Sequence, residues 1–289
     1  MRIAIAGGKG GTGKTTLAVN FAQALATDGH GVSLLDCNVE EPDVHRFLNS
    51  EAEAVSSVKI AFPDVLREKC TGCRVCAEVC EYQAIAVLGN KVFIFSELCQ
   101  ACGACARFCP QKAIREIPRE IGKIRMGRKG LIRLIDGRLN DGEVLSPVVI
   151  EGIRERGRDG KIVIIDAPSG TSWPVIAAVR DTDGVLLVTD PTPFGLCNLK
   201  SAVEMARPLG LPCAVAVNRC TLGEKETWGY CLSEKLPVVL EIPNDRRIAE
   251  ACSYGKTFLE ELPEYRETFL RGWKTLKESF GVLEDGGVP

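Results

Sequence analysis

The sequence predicts an α/β fold, a doubly wound and mostly parallel sheet interrupted by a small α+β insertion. Three observations predict it. Short continuous apolar runs alternate with helical patterns along most of the chain, as in parallel strands covered on both faces. A glycine-rich loop, Gly8 to Gly13, joins the first apolar run to the first helical pattern. The alternation stops between Cys70 and Cys109, where eight cysteines fall at short, regular spacings.

The elements follow in order. Arg2 to Ala6 is the first strand. Thr15 to Thr27 is a helix, because Leu17, Phe21, Ala24 and Leu25 share one face. Val32 to Leu35 is a second strand, ending at Asp36. From about Lys59 to Pro118 the chain is cysteine-dense and nearly two-fold repetitive. Arg119 to Arg138 is basic and punctuated by glycine, and reads as a hairpin or loop. The alternation resumes with a helix from about Leu145 to Arg156. Buried strands are expected at Lys161 to Ile165, Gly184 to Thr189, Pro212 to Val217 and Pro237 to Ile242. Helices at about Asn198 to Arg207, Arg246 to Tyr254 and Pro263 to Phe280 fill the gaps, and the tail from Gly281 to Pro289 is expected to fray. The parent domain is therefore 1–58 plus 119–289, with 59–118 inserted into it.

Bulk properties narrow the function classes. With 289 residues, 45% hydrophobic and 26% charged, the chain suffices for one large domain and a small module. A net charge of -2 argues against nucleic acid as a partner. Met1 to Ala6 runs straight into the glycine loop without the apolar core of a secretory signal. No apolar run is long enough to span a bilayer, and no membrane association is expected. A cytoplasmic, reducing location is expected, where clustered cysteines bind metal rather than form disulfides. Only His30 and His45 are present, which disfavours Cys/His zinc sites and histidine acid–base chemistry.

Gly8-Lys9-Gly10-Gly11-Thr12-Gly13-Lys14-Thr15 matches G-x-x-x-x-G-K-[ST] between a strand and a helix. Glycines let backbone N–H groups converge on phosphate, and the helix N-terminus adds its positive dipole end. Lys14 is expected on the β- and γ-phosphates, the Thr15 hydroxyl on Mg2+, and Thr16 beside them. Lys9, five residues before Lys14, makes the segment resemble the deviant Walker A loop of the MinD/ParA-type P-loop ATPases, relatives of the nitrogenase iron protein and of Mrp-type cluster carriers. The resemblance implies that Lys9 reaches the nucleotide of a facing subunit, so that ATP sits within a homodimer, or within a heterodimer with a paralogue. It also implies that Asp166, in Ile164-Ile165-Asp166-Ala167-Pro168-Ser169-Gly170, holds Mg2+ through water, and that the Gly170 N–H senses the γ-phosphate. Asn218 and Pro243 fall where the family contacts adenine. One departure bears on catalysis. The family's Asp-x-Asp is Asp36-Cys37-Asn38 here. Asn38 orients water only by hydrogen bonds, so at most slow ATP hydrolysis to ADP is expected, with Glu40 or Glu41 as compensating acids.

Cys70-x2-Cys73-x2-Cys76-x3-Cys80 is followed by Cys99-x2-Cys102-x2-Cys105-x3-Cys109-Pro110. This resembles the bacterial two-cluster ferredoxin pattern, in which the fourth cysteine of each run ligates the other cluster. Two [4Fe-4S] clusters are implied, one on Cys70, Cys73, Cys76 and Cys109, the other on Cys99, Cys102, Cys105 and Cys80. Zinc prefers well-separated C-x2-C pairs. Cys37, Cys197, Cys213, Cys220, Cys231 and Cys252 lack ligand spacing, and most are expected to be small buried hydrophobes. Trp173 is expected in the core or at a dimer contact.

Both halves together resemble MinD-like ATPases carrying an inserted ferredoxin domain. The insertion lies between the two segments that sense the γ-phosphate. The resemblance implies ATP-gated electron transfer to a partner metalloprotein or a cluster-assembly reaction. A cluster maturation or carrier ATPase, and a MinD-like positioning ATPase without a redox role, remain as alternatives. The basic stretch Arg119 to Arg133 serves either as a docking face for an acidic redox partner or as a solvated hairpin.

Overall fold

The structure, a computed structural model, describes residues 1–50, 52–223 and 225–282. In chain order the elements are β1 (Arg2–Gly7), α1 (Lys14–Thr27), β2 (Val32–Asp36), α2 (Val44–Leu48), β3 (Ala52–Val65), α3 (Val75–Glu78), β4 (Ile85–Leu88), β5 (Lys91–Ile94), α4 (Ala104–Arg107), β6 (Ile114–Lys129), β7 (Ile132–Leu139), α5 (Ser146–Arg156), β8 (Ile162–Ser169), α6 (Trp173–Val179), β9 (Gly184–Thr189), α7 (Pro193–Ala206), β10 (Cys213–Asn218), α8 (Glu226–Ser233), β11 (Val238–Ile242), α9 (Arg246–Ser253), α10 (Phe258–Glu261) and α11 (Arg266–Ser279). The expected tail beyond Val282 lies outside the described residues.

Nine of these strands form one sheet in the order β11-β10-β9-β1-β8-β2-β7-β6-β3. The run from β11 to β7 is parallel, whereas β6 pairs antiparallel with both β7 and β3. The central parallel strands are mainly apolar because helices cover both faces. One face holds Phe21, Phe258, Phe269 and Trp273, with Phe21 and Phe269 edge to face at 4.8 Å. The other holds Ile150, Ile153, Val175 and Leu199. Phe269, Trp273 and Leu276 are buried on α11, so that helix is docked on the sheet by its apolar stripe. Among the described residues no helix is long and apolar enough to cross a membrane.

Of the two readings expected for Arg119 to Arg138, the structure has the hairpin: β6 and β7 are its arms, and β7 lies beside β2 inside the large sheet. Lys123 and Arg125 alternate with buried Ile124 and half-buried Met126, so basic residues masked a period-2 pattern. A bulge at Ile121, between the pairs Val58↔Gly122 and Lys59↔Glu120, breaks the alternation further. The helix α6 escaped sequence reading because it is only seven residues long.

β3 and β6 form a ribbon paired from Ala52↔Gly127 to Val65↔Ile114. The expected domain boundaries, 58/59 and 118/119, fall within these two strands. β3 has 14 residues, roughly 45 Å at the usual rise per residue. Between its ends lie α3, α4 and the β4–β5 hairpin around a small core of Cys76, Ile85, Val87, Cys105 and Ile114. The two-fold repetition of the sequence is also geometric. Left-handed residues recur at Gly72 and Ala101, at Arg74 and Gly103, and at Gln83 and Lys112. The Ala84 N–H donates to Cys80 Sγ, and the Ala113 N–H to Cys109 Sγ, each at 3.3 Å.

Candidate phosphate loop and cysteine centre

The glycine loop leaves β1 in the middle of the sheet and enters α1 at Gly13, at the carboxyl ends of the parallel strands, where open α/β sheets bind ligands. Gly11 and Gly13 have φ of +76° and +99°, which glycine adopts without strain. A Cβ on Gly13 would lie 2.4 Å from Asn218 Nδ2. The loop opens onto a cavity of about 510 Å³ lined by Gly10, Gly11, Gly13, Lys14, Thr15, Thr16, Asn38, Glu41, Asp43, Asn218, Arg219, Pro243, Asn244 and Asp245, among others. Gly8, Lys9, Thr12, Asp36, Asp166 and Gly170 do not line it.

Lys14 Nζ donates to Ser169 Oγ at 2.7 Å and to the Lys9 carbonyl at 2.9 Å. Burial lowers its pKa, partly offset by Asp166. Thr15 Oγ1 donates to Asp166 Oδ2 at 2.6 Å. The second carboxylate oxygen, Asp166 Oδ1, and the buried hydroxyl of Thr12 have no partner. Burial pushes Asp166 above the usual carboxylate range, against the Thr15 hydroxyl and Lys14. Asn218 Nδ2 donates to the Thr12 carbonyl at 2.8 Å, and the Gly170 N–H to the Gly7 carbonyl at 3.1 Å. Lys9 Nζ pairs with Asp190 Oδ2 at 3.1 Å and lies over the Phe194 ring at 4.8 Å.

Asp36, Asp136 and Asp166 sit at one register on the adjacent strands β7, β2 and β8, all buried. Burial, then the charge of Asp166, pushes Asp36 well above the usual range. Its carboxylate accepts the N–H groups of Asn38, Asp43 and Val44, which ties the start of α2 to β2. Asp136 is held bidentately by Arg125 on β6, with His45 of α2 3.6 Å away. Asn38 Nδ2 donates to the Glu41 carbonyl at 2.9 Å. Glu41 lines the cavity and Glu40 does not.

In the cysteine segment, Cys70, Cys73, Cys76 and Cys109 line one cavity together with Val65 and Ile114. Burial raises the Cys76 thiol, with Cys109, Cys70 and Cys73 close enough to raise it further. Burial pushes Cys105 up to about 11, with Cys99 and Cys102 adding to the effect. Cys80 packs against the same small core as Cys76 and Cys105. Among the described residues no three His, Cys, Asp or Glu side chains converge on a single ion. Of the other cysteines, Cys37 and Cys231 are buried, Cys213, Cys220 and Cys252 half-buried, and Cys197 exposed. Trp173 is 64% exposed, so it is no part of the core. Its position at the first turn of α6, just after a strand end, turns the ring outward.

Sequence reasoning gave no role to Asp43, Asp190 or Arg219. Asp190 follows β9 and Arg219 follows β10. Their one sequence signal is a polar residue at a strand's carboxyl end, which many α/β loops share.

Comparison with known proteins adds four findings. The family model described as the CobQ/CobB/MinD/ParA nucleotide binding domain matches residues 3–258. An uncharacterized protein of Methanocaldococcus jannaschii is 30% identical over 264 residues, covering 90% of this chain and 92% of its own length. A Pyrococcus horikoshii protein named "Iron-sulfur cluster carrier protein" is 43% identical over 308 aligned positions, covering 99% of this chain and 89% of its own. Among solved structures, the septum site-determining protein MinD of Pyrococcus horikoshii, complexed with Mg-ADP, aligns over 99% of both chains with a TM-score of 0.62. At 18% identity, this last likeness is one of fold.

Proposed function

The chain belongs to the CobQ/CobB/MinD/ParA nucleotide-binding family, and from that premise we propose that it is an ATP-binding iron–sulfur protein in which nucleotide state gates electron transfer. The observation that carries the proposal is the gathering of Cys109 with Cys70, Cys73 and Cys76 around one cavity, in a chain whose phosphate loop opens onto another. The nucleotide fits the loop on three counts. The cavity has the volume of a nucleotide site. A Cβ at Gly13 would collide with Asn218 Nδ2 in the wall of that cavity, and Thr12 Oγ1 and Asp166 Oδ1 are buried polar atoms left without partners. Lys14 and the loop amides would hold the phosphates. Thr15, with Asp166 behind it, would hold Mg2+, and Asn218 and Pro243 would flank the base.

The cysteine segment fits two [4Fe-4S] clusters by its donor set. Cys70, Cys73, Cys76 and Cys109 would hold one, and Cys99, Cys102, Cys105 and Cys80 the other. When bound, the clusters supply one-electron transfer to a redox partner protein. We read residues 59–118 as an inserted ferredoxin-like module on the domain formed by 1–58 and 119–289. Gating has a physical route. Asp36 holds the first amides of α2, His45 of α2 faces Asp136, and Asp136 grips Arg125 on β6. β6 is the strand that begins directly after the cysteine segment. A nucleotide shifts such an arrangement only through contacts that differ between its states, and the segment from Asn38 to Val44 is placed to provide them. Lys9 must leave Asp190 to reach a nucleotide in a facing subunit, so dimerisation is ATP-dependent. Hydrolysis is slow because Asn38 supplies no carboxylate.

The name of the Pyrococcus horikoshii relative favours a second reading, a cluster carrier that releases its cluster to an apo-acceptor. Anaerobic iron analysis with nucleotide binding tests the proposal. About eight irons per chain are expected, with ATP binding lost in Lys14→Ala. An iron-free protein that binds ATP would overturn the iron–sulfur half, and transfer of about four irons to an apo-acceptor would favour the carrier.

A further inference from the structure

The two cysteine runs differ in charge at several equivalent positions, Arg74/Gly103, Glu78/Arg107, Glu81/Pro110 and Gln83/Lys112, and the first of these lies within the three-cysteine loop itself. In Cys70-Thr71-Gly72-Cys73-Arg74-Val75-Cys76 and Cys99-Gln100-Ala101-Cys102-Gly103-Ala104-Cys105, Arg74 corresponds to Gly103. Both backbones are left-handed, with φ of 66° at Arg74 and 74° at Gly103. Glycine takes that conformation freely, whereas an L-residue there is strained. The first loop therefore keeps an arginine where the backbone favours glycine.

At the second loop the glycine leaves room for a different group. A Cβ on Gly103 would lie 3.0 Å from Glu116 Oε1. Glu116 comes from β6 and shares an open concavity with Cys102 and Gly103. Neither Arg74 nor Glu116 has an ion-pair partner among the described residues. The first cysteine loop thus carries an exposed cation, and the second faces a carboxylate of β6 in a concavity that Arg107 also lines.

We propose that Arg74 and Glu116 set the two clusters at different reduction potentials, so that a single electron rests on the cluster at Cys70, Cys73, Cys76 and Cys109. This rests on the two-cluster reading above and names the direction of electron flow within it. The reduction potential of such a cluster depends on the charge around it. Reduction adds a negative charge, which a nearby cation favours and a nearby carboxylate opposes. The favoured cavity is also lined by Val65 and Ile114, the residues that close the ribbon. The electron therefore rests on the side from which β6 runs to Arg125, which holds Asp136 of β7. The internal step moves one electron, breaks no bond and releases no proton. The electron enters from an external one-electron donor, dithionite in the test below.

Anaerobic titration with dithionite, followed by EPR, tests this on the full chain. In the wild type two one-electron waves are expected, with about a tenfold preference for one cluster, or about 59 mV. Glu116→Gln should raise the lower midpoint and leave the higher one in place. Arg74→Gln should lower the higher midpoint alone, and the double variant should draw the two together. Higher salt should narrow the wild-type separation, because both groups face solvent. Coincident midpoints in a wild type holding about eight irons would overturn this proposal alone. So would a Glu116→Gln variant that retains its irons and moves the higher wave or neither. A chain holding about four irons or none would overturn the two-cluster reading beneath it.

Discussion

Gly13→Ala tests whether the phosphate loop and Asn218 at the end of β10 are one mechanical unit. Gly13 has φ +99°, and an added Cβ would stand 2.4 Å from Asn218 Nδ2 and 3.4 Å from its Cγ. That amide donates to the Thr12 carbonyl at 2.8 Å, so the methyl group must displace it. Losing the hydrogen bond costs about 1 kcal/mol. Holding an L-residue in the left-handed region costs about 1–2 kcal/mol more. The sum, about 2–3 kcal/mol, corresponds to a fall in Tm of roughly 5–10 °C for a chain of this size. Thermal melts of Gly13→Ala, Asn218→Ala and the double variant separate the two parts. With Asn218 already truncated there is no amide to displace, and Gly13→Ala should cost only the backbone part. A coupling of about 1 kcal/mol between the two positions is therefore expected. Additivity to within about 0.4 kcal/mol, or a neutral Gly13→Ala, would refute the reasoning.

Three further outcomes follow from the same geometry. Arg125→Ala leaves buried Asp136 facing only His45 and should lower stability in urea by about 3 kcal/mol, most of it restored when Asp136→Asn is added. Cys109→Ser should remove the same spectroscopic signal as Cys70→Ser, and Cys80→Ser the other signal; loss of one signal from both Cys70→Ser and Cys80→Ser would contradict the crosswise ligand sets. Lys9→Ala should abolish dimerisation on ATP addition, as read by light scattering, and a dimer that persists unchanged would remove the role assigned to Lys9.

The phosphate loop and the cysteine runs were legible because each is contiguous and its chemistry fixes its spacing. The strand before Gly8 and the helix after Gly13 needed no tertiary information, since Leu17, Phe21 and Leu25 repeat at helical period. β6 and β7 were illegible as strands of the main sheet because Lys123 and Arg125 flank Ile124 in β6, and Arg133, Asp136 and Arg138 interrupt the apolar residues of β7. Their partners, β2 and β3, lie far off in sequence. The same holds for the site. Thr15 and Asp166 belong to recognisable motifs, but the link of Lys9 to Asp190 joins two loops 181 residues apart. The tie of Asp36 to α2 depends on a helix of only five residues, too short to show a period although Asp43 and Asn49 flank it. The charge break between Arg74 and Gly103 is visible in an alignment of the two cysteine runs. The carboxylate that fills the second place comes from β6, outside the repeat.

The central claim is that nucleotide state and cluster redox state are coupled through one chain. The most direct measurement is an anaerobic redox titration with and without Mg-ATP, together with the rate of electron delivery to an added acceptor. The account predicts a shifted midpoint or a changed delivery rate on ATP addition, with both effects absent in Lys14→Ala. Midpoints and delivery rates that stay the same at saturating ATP, in a protein shown to hold both nucleotide and iron, would contradict it.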